Sequence, residues 1–156
     1  MLKTLYLIIW LAAMSYADIK RRKINIISIV VMGAGIIMLH LADVIAGSEL
    51  DLHLLIRDYY IPAVIIGAGI YIIARITHIT GEADAIVIAY ITVLKGMYIT
   101  IQTVLLSMFL IIIAWGTLIA GGRMKLRTSM PYIPFLLVSL VCCVIGGGTI
   151  LRTLLQ

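Results

Sequence analysis

Residues 85–119 form one apolar stretch whose single charge is Lys95, beside Gly96. A hydrocarbon core about 30 Å thick takes about 20 apolar residues per helical crossing, so this stretch is long enough to cross, turn and return. Lys95-Gly96 reads as a tight turn that divides it into 83–94 and 97–119. Four more apolar stretches lie at 2–17, 24–46, 59–79 and 132–151. The pattern predicts an all-α membrane protein with six transmembrane helices. The apolar runs are continuous rather than alternating, which argues against a β-barrel.

Composition supports the same class. Hydrophobic residues make up 63% of the chain and charged residues 12%, against about 25% charged in a soluble domain. Lipid must be the solvent for most of such a surface. In 156 residues, six spans leave room only for short loops. A single integral membrane domain over 1–156 is expected, with no soluble appendage. The first stretch runs into Asp18 and a basic cluster rather than a small-residue cleavage site, so it reads as a retained span and not a signal peptide.

Charge orients the spans. Cytoplasmic loops are enriched in Lys and Arg. Lys20, Arg21, Arg22 and Lys23 follow the first stretch, and Arg123, Lys125 and Arg127 follow the fifth. With six spans these clusters share one side, and with five they would not. Glu49, Asp51 and Asp58 suit the opposite side. Both termini are therefore expected outside, with loops 18–23, 80–84 and 121–131 inside. The net charge of +5 follows from this topology and from contact with anionic lipid headgroups, and no nucleic-acid partner is implied. Cys142 and Cys143 are adjacent in an apolar run, and His40, His53 and His78 have no ligand spacing. No metal or other cofactor is implied. Gly33, Gly35, Gly67, Gly69 and Gly146–Gly148 suit close helix packing. Pro131 and Pro134 suit the start of the last helix.

Seven acids remain to be explained. Asp43, Glu49, Asp51 and Asp58 belong to or adjoin the outer loop, where water solvates them. Asp18, Glu82 and Asp84 fall at the inner membrane boundary, where ionisable groups are costly and often functional. Singly, Asp18 could pair with Lys20–Lys23, and Asp84 could face a helix N-terminus. Together, at one depth on one side, they suggest a dyad. Two like charges close together resist joint ionisation and share a proton. One carboxylate can then take a proton from water while the other donates to an amide carbonyl. Gly81, Glu82 and Ala83 form the small, glycine-containing approach to Asp84. Gly81 permits unusual dihedrals and close backbone approach, and such a loop can let an extended substrate strand lie near the acid. Glu82 could meet basic residues of that substrate.

Three stretches together resemble the type IV prepilin peptidases and preflagellin peptidases, the GxGD-type membrane aspartic proteases. They are Asp18-Ile19-Lys20-Arg21-Arg22-Lys23-Ile24-Asn25, Gly81-Glu82-Ala83-Asp84, and Met130-Pro131-Tyr132-Ile133-Pro134-Phe135-Leu136. Their order and the six-span layout cover nearly the whole chain. The resemblance implies that Asp18 and Asp84 are catalytic. It implies cleavage of the basic leader from prepilin-like precursors at the cytoplasmic face of a cell membrane. Ala83 stands where the second glycine of the motif is often found, and Ile86 where many bacterial members have lysine. The chain has no cysteine-rich insertion, so it is similar to the short, peptidase-only members and no methyltransferase activity is implied. A different class is a small proton- or cation-coupled transporter using the two aspartates. Transport sites usually lie near the middle of the membrane, whereas these acids lie at its edge. A structural membrane subunit would leave the pair without a role.

Overall fold

Inside a bilayer every backbone N–H and C=O must be satisfied within the protein, so uninterrupted apolar runs become helices. The computed structural model describes residues 2–21, 26–45, 52–77, 81–122 and 131–146. Among the described residues the chain is all-α, with five helices. They are α1 (Leu2–Arg21), α2 (Ile26–Ile45), α3 (52–77), α4 (Glu82–Ala120) and α5 (Ile133–Ile145). Four helical stretches are long and apolar enough to cross a membrane: Leu2–Lys20, Ile26–Ile45, His53–Ile76 and Glu82–Ala120. The chain is a multi-pass membrane protein.

The surface agrees. Val64, Ile76 and Ile145 are 68%, 74% and 81% exposed, which suits side chains that face lipid. The interior combines apolar packing with hydroxyl groups. Leu7, Leu11 and Met14 of α1 meet Met32 and Ile36 of α2, Val87 and Ile91 of α4, and Leu136 and Leu140 of α5. Buried Thr92, Thr100 and Thr103 donate to carbonyls one turn back, at 2.9, 2.9 and 2.8 Å. These local bonds give each hydroxyl proton an acceptor within its own helix.

Two boundaries differ from the expected ones. The first helix continues through Arg21, so Asp18 lies in its last turn rather than after it. The third begins at Leu52, inside the segment expected as loop, and passes through a π-helical turn at Ile56–Tyr60. Pro62 accounts for that turn. It has no N–H for the carbonyl of Asp58, and its ring crowds that carbonyl in a regular helix. The wider turn just before it relieves the conflict.

A straight α4 of 39 residues would be about 58 Å long, nearly twice the hydrocarbon thickness. It is not straight. Gly96 has φ 82 and ψ 164, a conformation available to glycine and costly for other residues. Just before it, the Lys95 ammonium donates to the Thr4 hydroxyl, near the start of α1. After it, Ser107 Oγ bonds Tyr132 Oη at 2.9 Å, and the neighbouring Ile133 N–H faces Asp18, near the end of α1. Thr4 and Asp18 are about 21 Å apart along a helix. Asp84, near the start of α4, lies within electrostatic reach of Asp18 as well, so the chain reverses at Gly96, at the place the sequence marks.

Of the glycines expected to allow helix packing, Gly33, Gly35 and Gly67 meet neighbours closely. A Cβ on Gly33 would sit 2.5 Å from Tyr90 Oη, and one on Gly67 would sit 2.8 Å from Ala89 Cβ. Gly35 lies against the Tyr6 hydroxyl. Gly69 has nothing within 4 Å among the described residues, so the packing role expected for it is not seen there. Gly146 ends α5, and residues 147–148 lie outside the described residues. Asp43, expected to be simply solvated, instead forms an ion pair with Lys3 across the α1–α2 pair.

Candidate functional site

Asp84 is the third residue of α4 and is buried, 9% exposed. Its Oδ2 accepts the Gly81 N–H at 3.2 Å, while its own N–H donates to the Gly81 carbonyl at 3.0 Å. An acid three positions into a helix is the residue that reaches back to the unpaired N–H at the helix start. The side chain is thus folded over the N-terminus of α4 and fixed there.

Gly81 serves this arrangement differently from the expectation. Its φ of −73 and ψ of 140 are ordinary extended values that any residue adopts. What it lacks is a side chain: a Cβ there would lie 3.2 Å from Asp84 Oδ2. The glycine leaves room for the carboxylate rather than supplying an unusual backbone. Ala83 is half-buried and packs against the apolar core. Glu82 is exposed; its Oε2 accepts from the Tyr71 hydroxyl at 3.3 Å, and Arg75 Nη1 donates to that hydroxyl at 3.3 Å.

Asp18 reaches a helix start from another helix. It lies half-buried in the last turn of α1, and the N–H groups of Ile133 and Tyr132 at the start of α5 face its carboxylate, the first at 3.4 Å. Those N–H groups have no partner within α5 and sit at the positive end of its dipole. The two aspartates, distant in sequence, come close enough for the charge of Asp18 to act on Asp84. The charge of Asp84 likewise reaches the Tyr132 hydroxyl.

Among the described residues, no Lys, Arg or His lies within ion-pair distance of either carboxylate; the ion pairs there are Lys3–Asp43 and Arg57–Asp58. Lys20, one suggested partner of Asp18, turns to Tyr16 instead. Its Nζ is 3.5 Å from the Tyr16 hydroxyl and 5.6 Å from the ring centroid. The side chains of residues 21–23 lie outside the described residues. So do Glu49, Asp51, His78, Arg123, Lys125, Arg127 and Met130.

Tyr132 and Ser107 belong to the site's frame, and the sequence reading assigned neither a role there. The signals were faint: one serine in an apolar run, and one tyrosine between two prolines. His40 is buried and bonds Tyr60 through Nδ1 at 3.0 Å, whereas His53 is exposed. No group of three His, Cys, Asp or Glu gathers as a metal site among the described residues.

Two neighbouring carboxylates, one buried and one half-buried, can share and move a proton. They can also hold a cation, but they supply fewer oxygen ligands than Mg²⁺ or Ca²⁺ requires. Water or substrate would have to complete such a shell. No protein-family model, curated protein or solved structure matches the chain.

Proposed function

We propose that the protein is a membrane aspartic endopeptidase that removes the basic leader from prepilin-like precursors, such as type IV pilins, pseudopilins or archaellins. The observation that carries this reading is that Asp18 and Asp84 come within electrostatic reach of each other at one end of the helix bundle, with no cation at ion-pair distance from either among the described residues. In the proposed reaction one carboxylate takes a proton from water, and the oxygen attacks the scissile carbonyl carbon. The other donates its proton to the carbonyl oxygen. Collapse of the tetrahedral intermediate returns a proton to the departing amine.

The reading includes topology. With Gly96 as an outer turn, the chain crosses six times with both termini outside, and Asp18 and Asp84 face the cytoplasm. A precursor anchored by its own hydrophobic helix presents its basic leader on that side. Partners are the precursor and membrane lipid. The stretches 18–25, 81–84 and 130–136 that resemble prepilin peptidases all contribute residues to this end of the bundle. Residues 22–25 and 130 lie outside the described residues.

The test uses purified protein in lipid with a prepilin-like precursor. Wild type is expected to release the leader at one bond, identified by mass spectrometry, and Asp18→Asn and Asp84→Asn are expected not to. Wild type that cleaves no such precursor but moves protons or cations across liposomes would replace this reading with a coupled transporter.

A further inference from the structure

We infer that Tyr132, anchored by Ser107, is a positioning residue for the Asp18–Asp84 pair. In its catalytic arm this inference rests on the peptidase reading.

The local chemistry at the start of α5 is unusually specific. Tyr132 occupies the N-cap position and makes no side-chain capping bond. The Phe135 and Leu136 N–H groups both donate to the Tyr132 carbonyl, at 3.1 and 3.2 Å. Pro134, the second residue of α5, has no N–H to place. The donors left at this helix start are Ile133 and Tyr132, and both face Asp18. Asp18 thus caps α5 from α1, and its carboxylate goes where the start of α5 puts it.

The Tyr132 side chain fixes that start. Ser107, fully buried on the second arm of α4, donates its one hydroxyl proton to the Val104 carbonyl at 2.8 Å. The 2.9 Å bond between Ser107 and Tyr132 must therefore run from the Tyr132 O–H to Ser107 Oγ. The arm of α4 that carries Asp84 and the arm that carries Ser107 are joined at Gly96. One helix hairpin therefore sets both carboxylates, Asp84 directly and Asp18 through Tyr132 and the start of α5. Tyr132 acts through Asp18 and need not touch substrate.

The direction of the bond makes the two partners unequal. Tyr132→Phe leaves Ser107 still bonded to Val104 and leaves no polar group unpaired. Ser107→Ala leaves the partly buried Tyr132 hydroxyl without its acceptor, the costlier loss. Adding Tyr132→Phe to Ser107→Ala removes that stranded hydroxyl.

The experiment combines cleavage kinetics with amide exchange at Ile133, both on the full chain in lipid. Tyr132→Phe is expected to lower kcat about tenfold, with KM within about twofold, because a small misplacement of a catalytic group acts on the chemical step. Ser107→Ala should lower kcat further, and the double variant should recover to the Tyr132→Phe level. Ser107→Thr, which keeps the acceptor, should hold kcat near wild type. Exchange at Ile133 should quicken in the same order as kcat falls. Wild-type kcat in Ser107→Ala, losses that multiply in the double variant, or a change in KM alone would overturn the inference. If wild type cleaves no precursor, the peptidase reading fails by itself. Unchanged Ile133 exchange in Ser107→Ala would then still overturn the positioning role, and quickened exchange would uphold it.

Discussion

The two ends of the helix bundle handle charge in opposite ways. At one end opposite or complementary groups meet: Lys3 with Asp43, Lys95 with the Thr4 hydroxyl, His40 with Tyr60. At the other end two carboxylates approach each other, and backbone N–H groups at two helix starts are what they bind. The first arrangement lowers the cost of polar groups near lipid. The second brings like charges together, with no cation at ion-pair distance among the described residues. Retaining like charges at a membrane edge is what proton-transfer chemistry needs and what simple stability disfavours. On the proposed reading, one end serves stability and the other serves chemistry.

The largest expected break of this comparison is Asp84→Asn. Cleavage should fall about 10²–10⁴-fold, the range of a lost acid–base group, with Tm little changed. Lys95→Leu at the opposite end should leave the cleavage rate within about threefold of wild type, as for a substitution remote from the site. Equal losses from both would erase the distinction between the ends.

Next in size are two identical changes on α3, whose effects should separate by packing alone. Gly67→Ala should lose about 1–3 kcal/mol of stability, because its Cβ would press on Ala89 Cβ at 2.8 Å. Gly69→Ala, with nothing within 4 Å, should be neutral or gain up to about 1 kcal/mol from helix propensity. Unfolding in detergent measures both. Similar values for the two would mean that α3 and α4 do not pack as closely as described.

Smaller effects follow at each end. Lys3→Ala should lower Tm slightly and leave cleavage unchanged, since its ion pair with Asp43 is partly exposed and screened. Glu82→Gln should reduce discrimination between basic and neutral leaders about two- to threefold, with little effect on cleavage of a neutral one. Unaltered discrimination would remove Glu82 from substrate recognition.

Much of the carboxylate end was legible in the sequence because charge is scarce. With seven acids in the chain, Asp18 and Asp84 could be singled out by depth. The reversal at Lys95-Gly96 was legible because a lone charge and a glycine interrupt a long apolar run. Three features were not. The partner of Asp43 lies on another helix, and nothing near Asp43 indicates Lys3. At Gly81 sequence shows that a side chain is absent but not whether that absence serves the backbone or a neighbour. Here it serves the Asp84 carboxylate. The Tyr132–Ser107 bond joins groups 25 residues apart, and a hydroxyl inside an apolar run looks the same in sequence whether it bonds its own helix or another. Packing decides each of these, and periodicity does not report it.

The central claim is that Asp18 and Asp84 act as one unit. Single-turnover cleavage of a prepilin-like precursor by Asp18→Asn, Asp84→Asn and the double variant tests it most directly. Each single change should remove nearly all activity, and the double variant should be no slower than the slower single one, as for groups that work together. Losses that multiply in the double variant, or wild-type cleavage by either single variant, would contradict it.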